Sequence, residues 1–217
     1  MLLSLLFREP YLFFIIILAI LYTLSVHEYF HAQMATLLGD DTARHYGRLT
    51  LNPLSHIDFI GFMMLLLVGF GWGKPVPFNP LNFKNMRRDT ALVAVAGPVA
   101  NLLSLIFFGL IYKFVTPILG LNNLLPLFLM WLIIYNAVLM VFNLIPIPPL
   151  DGSKVLFSIL PARFNDFKIA LTRQGPLILI GLIFLSNFLG LPIFTGLFRF
   201  VINLCQQVFG TFPLTFF

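Results

Sequence analysis

Charge is what this sequence has least of. Only 10% of its 217 residues are Asp, Glu, Lys or Arg, against about 25% in an ordinary soluble domain. So few charges cannot cover a globule in water, so most of the surface must face lipid. A single cysteine, Cys205, excludes an internal disulfide and any multi-cysteine metal site, and leaves the redox compartment open. There is no internal repeat and no low-complexity tract. The net charge of +5 is spread over loops between apolar spans, where it carries topology information rather than a nucleic-acid footprint. At the N-terminus Arg8 is followed at once by Glu9, and no small-residue cleavage site follows the apolar stretch. That segment is therefore expected to stay on the mature chain.

What the chain does have is long apolar runs. Five are long enough to span or nearly span a bilayer: about 10–37, 91–115, 124–145, 175–190 and 191–211. The last two are separated only by Gly190 and Pro192. A sixth, Phe59–Phe70, has 12 residues and would rise roughly 18 Å as a helix, too little for a hydrocarbon core of about 30 Å. A re-entrant hairpin is expected there. Arg44–Leu51 (RHYGRLTL) alternates polar and apolar residues around Gly47, predicting a short β ribbon. Gly71–Pro80 (GWGKPVPFNP) is loop, and the prolines of Asn143–Gly152 (NLIPIPPLDG) unwind the helix that ends there. The predicted fold is an all-α polytopic membrane protein with about five transmembrane helices, a short re-entrant hairpin and a small β ribbon.

The chemistry concentrates in the first span, at His27-Glu28-Tyr29-Phe30-His31. Residues four apart share a helix face, so the two imidazoles can meet one zinc ion. Glu28, about 100° further round, can reach a water on that metal and act as general base. Ionisable side chains inside an apolar span are costly and are functional by default. A catalytic zinc needs a third protein ligand, and Asp151 follows the proline-broken helix end in an apolar setting. It is a candidate ligand, or a cap for the helix that starts beside it. Asn143 can stabilise a developing oxyanion or satisfy carbonyls freed at the helix break. His56 lines the cleft or sits at an interface. Gly97-Pro98 and Asn101 are expected to set a kink and close helix packing rather than chemistry.

In order and spacing, HEYFHA, GRLTLNPLSHID, GWGKPVPFNP, AGPVAN and NLIPIPPLDG resemble the site-2 protease family of intramembrane zinc proteases, over roughly residues 20–155. The resemblance is to compact prokaryotic members without a PDZ or CBS domain. It implies zinc on His27, His31 and Asp151, Glu28 as catalytic base, and Asn143 as a transition-state donor. The chain then reads as one intramembrane metalloprotease domain over 1–217, with a catalytic core of about 10–155 and C-terminal helices of about 172–212.

Sharing one zinc requires His27, His31 and Asp151 at similar depth, so spans 10–37 and 124–145 run the same way and span 91–115 runs opposite. Ten of the thirteen Lys and Arg then fall on the zinc side, and Arg8, Lys113 and Arg199 on the other. By the positive-inside rule the zinc side is cytoplasmic, and the expected setting is the cell (inner) membrane. The expected activity is hydrolysis of peptide bonds in or near transmembrane segments of protein substrates. A metal transporter using the same His/Glu/Asp cluster would need further polar residues across the bilayer, and a silent scaffold would not need Glu28.

Overall fold

The computed structural model describes residues 2–121, 123–188 and 191–212. After a short α1 (Leu2–Arg8), α2 (Pro10–Leu37) begins with a proline in its first turn, where no N–H is required. A brief α3 (Thr42–His45) and α4 (Phe59–Val68) follow. Next come α5 (Met86–Leu119) and α6 (Leu124–Asn143), whose first turns are capped by the side chains of Asn85 and Asn123. α7 (Asp151–Ile159), α8 (Asn165–Phe188) and α9 (Thr195–Phe209) complete the chain.

Four helices, α2, α5, α6 and α8, are long and apolar enough to cross a membrane. The fifth expected span is the correction. α9 has 15 residues, rising only about 22 Å, and it lies on the bundle through Ile202, Cys205 and Phe209. Gly109 of α5 lets it approach, since a Cβ there would sit 2.6 Å from the Phe209 ring. α8 begins ten residues before the expected 175. Gly190, expected to mark its end, lies outside the described residues.

The β ribbon expected at 44–51 is not formed, and the described residues contain no sheet. Asp41 precedes one helical turn over Thr42–His45, and Gly47 at φ 65° turns the chain. Alternation in the sequence was outweighed by this local helix-and-turn chemistry. The short apolar segment forms a helix and a return. Asp58 caps α4 by accepting from the Gly61 N–H, and Gly69 at φ 84° ends it. Ile57 then bridges Gly73 in antiparallel fashion, so the segment returns to where it left.

The core lies between α2, α5 and α6, with α9 laid over it: Leu12, Ile16, Leu105, Tyr112, Met130, Ile133 and Phe209 are buried in one cluster. Outward-facing Phe107, Phe114, Ile118 and Leu177 are exposed. Large apolar side chains in such positions suit a lipid solvent.

Candidate metal centre

The lower half of α2 carries His27, Glu28 and His31, all buried. Helical spacing places the two imidazoles on one face, with their Nε2 atoms 3.0 Å apart. Asp151, the first residue of α7, brings its Oδ2 to 3.2 Å from His27 Nε2 and 3.0 Å from His31 Nε2. It does not cap its helix. Its other oxygen, Oδ1, accepts from Lys154 Nζ at 2.9 Å.

The protons on this cluster can be placed. His31 Nδ1 lies 2.7 Å from the Val93 carbonyl oxygen, which can only accept, so Nδ1 carries the hydrogen. Asn101 Nδ2 donates to Thr23 O at 3.2 Å and to Asn136 Oδ1 at 2.9 Å, so its Oδ1 faces His27 Nδ1 at 2.6 Å as acceptor. Both Nε2 atoms therefore point bare lone pairs at one spot, together with a carboxylate oxygen. Three acceptors and no proton repel one another unless a cation sits among them. A tetrahedron with ligand bonds of about 2.0 Å has edges of about 3.3 Å, close to the 3.0 to 3.2 Å separations seen here. The donor set fits a divalent metal ion, and these three residues form a group able to hold one.

Helix α5 supplies the rest of the mould. Val93, Gly97 and Asn101 follow at four-residue intervals and line the face that meets the imidazoles. A Cβ at Gly97 would lie 2.5 Å from His31 Nε2 and 2.6 Å from His27 Cε1. The expectation that Gly97 and Asn101 serve packing alone is thus too narrow: Gly97 admits the rings, and Asn101 orients one. Behind Asn101, Asn136 of α6 donates to Thr23 Oγ1 at 3.0 Å and to Leu132 O at 2.7 Å. Sequence inspection missed Asn136. The signal available was an amide in an apolar span, seven residues before Asn143.

Glu28 is not one of the three converging ligands; its Oε2 accepts from the Val76 N–H at 2.9 Å. Asn143 stands apart. Its Nδ2 donates back to Leu139 O at 3.1 Å within its own helix. His56 is wholly buried, with Nε2 2.7 Å from Thr50 O, and it takes no part in the three-ligand group.

The profile of peptidase family M50 matches residues 121–186, which include Asn143, Asp151 and α7. The chain is 39% identical over 159 residues to the "Putative zinc metalloprotease YwhC" of Bacillus subtilis (strain 168), covering 70% of each chain. It is 34% identical over 145 residues to the "Putative zinc metalloprotease Rip2" of Mycolicibacterium smegmatis, covering 64% of this chain and 55% of that one. The protein of the same name from Mycobacterium tuberculosis is 33% identical over 150 residues, 66% of this chain and 56% of that one. The matched region thus spans a little over half of the Rip2 chains. No solved structure matches the chain.

Proposed function

Because the chain belongs to peptidase family M50, the site-2 protease family, we propose that it is a zinc-dependent endopeptidase acting on membrane proteins, in or near their transmembrane segments. The observation that carries this is a buried convergence of two imidazole lone pairs, from a helix apolar enough to cross a membrane that also carries Glu28, with one carboxylate oxygen from α7. Such a group inside a span is functional by default.

His27, His31 and Asp151 would hold the zinc. When bound, zinc supplies Lewis acidity, polarising the scissile carbonyl and acidifying a water. Glu28 takes the proton from that water and passes it to the leaving amine. Lys154 balances the charge on Asp151 Oδ1, and Asn101 and the Val93 carbonyl hold the imidazoles in the tautomer that keeps Nε2 free. Asn143, at the end of α6, can donate to the oxyanion by turning its amide from Leu139 O toward the centre. The substrate enters partly unwound, because a spanning helix keeps its carbonyls hydrogen-bonded.

The zinc side faces the cytoplasm. Fifteen residues of α2 separate Leu12 from His27, a rise of about 22 Å, which sets the site beyond the bilayer centre. Metal transport is disfavoured by the interior polar chain: Thr23, Asn101 and Asn136 are buried and bond one another, offering no passage.

The test pairs zinc content with cleavage of a single-span reporter substrate by detergent-purified protein. Glu28→Gln should keep about one zinc per chain and lose turnover, whereas His27→Ala/His31→Ala should lose both. Undiminished turnover in Glu28→Gln, or undiminished zinc in the double variant, would refute the assignment.

A further inference from the structure

Glu28 is covered by a strap with an unusual distribution of donors. In Lys74-Pro75-Val76-Pro77-Phe78 the two prolines have no N–H, so between Lys74 and Phe78 the only backbone donor is Val76. That donor is the one on Glu28 Oε2. The strap lies flush on α2, because Leu24 and Glu28 share a face and a Cβ at Gly73 would fall 2.8 Å from Leu24 Cδ1. It is fastened from its outer side. Lys74 N donates to His56 O at 2.8 Å, and Arg48 Nη2 donates to Lys74 O at 2.5 Å while lying 3.5 Å from His56 Nδ1. His56 Nε2 donates to the Thr50 carbonyl, so its Nδ1 is a lone pair facing the guanidinium.

Arg48 is 6% exposed, and its Nε has no hydrogen-bond partner among the described residues. A guanidinium held this way costs stability rather than adding to it. Burial lowers its pKa from the usual value, and the negative charge of Glu28 opposes that fall. What the residue secures is the strap.

We propose that Arg48 is a positioning residue for the Glu28 base, acting through the 73–77 strap that it and His56 pin onto α2. This rests on the protease reading above. A glutamate has three rotatable bonds, and a base works only within hydrogen-bond reach of the proton it takes. With Oε2 tied to Val76, the other oxygen is held in one direction. Loosening the strap leaves the zinc ligands untouched, since these are fixed by α5 and α7, and misdirects only the base.

The experiment measures four things on purified full-length protein: zinc content, kcat and KM on the single-span reporter, and amide hydrogen exchange in residues 71–79. Arg48→Gln should keep its zinc and KM, lose about tenfold or more in kcat, and exchange faster in the strap. Arg48→Lys, which restores the charge and a donor, should recover part of kcat. Val76→Pro removes the single donor and should reproduce the kcat loss without loss of zinc. Glu28→Ala should speed exchange at Val76. Unchanged kcat in both Arg48→Gln and Val76→Pro overturns the proposal. So does zinc lost in proportion to activity, which marks Arg48 as merely structural, or strap exchange unaltered by Arg48→Gln. A wild type no more active than Glu28→Gln overturns the protease reading instead, and this proposal with it.

Discussion

Adding one methyl group at Gly97 should disable the metal centre while leaving the bundle folded. The Cβ of Gly97→Ala would sit 2.5 Å from His31 Nε2, 2.6 Å from His27 Cε1 and 2.7 Å from His31 Cε1. Comfortable contact needs about 3.5 Å, so the overlap is about 1 Å. The rings cannot simply retreat, because His31 Nδ1 is tied to Val93 O and His27 Nδ1 to Asn101, both on α5. Either α2 and α5 separate or an Nδ1 bond breaks, and each outcome moves a ligand nitrogen by about the overlap. Disturbing the partners of metal-binding histidines costs about 10–100-fold in metal affinity. Global stability should change far less, since overpacking costs about 1–3 kcal/mol and replacing a helical Gly by Ala returns about 1 kcal/mol. Zinc affinity is measured by competition with a chromophoric chelator, and folding by thermal denaturation in detergent. Gly181→Ala is the control, because none of the described residues lies within 4 Å of a Cβ there, and it should bind zinc as the wild type does. If Gly97→Ala also bound zinc with wild-type affinity, the lock between α5 and the imidazoles would not exist.

Asn101→Leu removes the acceptor for His27 Nδ1, and zinc affinity should fall about 10–100-fold in the same competition assay. Asp40 gives a pH signature: burial raises its pKa, but hydrogen bonds from the Thr42 hydroxyl, the Asn79 N–H and the Asn82 amide outweigh that and hold it below 3.8. Its stabilising contribution is therefore complete above pH 3.8 and vanishes as pH falls through the lower folded value. Asp40→Asn should flatten that acid limb of the melting temperature, and an unchanged limb would contradict the assignment. For topology, single cysteines at Arg44 and Arg87 in a Cys205→Ser background should resist an impermeant thiol reagent in intact cells, whereas one at Glu9 reacts. Labelling of 44 and 87 from opposite sides would mean that residues 57–73 cross the membrane.

The metal centre was legible because its key feature is local: two histidines four residues apart on one apolar helix. Asp151 was readable from scarcity, since few acids sit in an apolar context. That Phe59–Val68 is shorter than the spanning helices followed from length alone. Gly97 and Asn101 were visible as a motif but not as neighbours of the histidines, because which face of α5 meets α2 is a tertiary fact. The failed ribbon at 44–51 has a similar origin. Arg48, a polar member of that alternation, turns inward to the Lys74 carbonyl. Length misled at the C-terminus, where Thr195–Phe209 is apolar enough to suggest a span but lies against α5 and α6.

The amides behind His27 also bear on how the helices find one another. Thr23, Asn101 and Asn136 come from three different helices, and the bonds that join them form only when all three are side by side. In hydrocarbon a lone helix carrying such a group has no water to turn to. Sliding α6 by a single turn, about 5.4 Å, would strand Asn136 opposite aliphatic side chains. The chain of amides thus works as a register key, selecting neighbour and vertical offset at once, so the histidines reach alignment as the bundle closes.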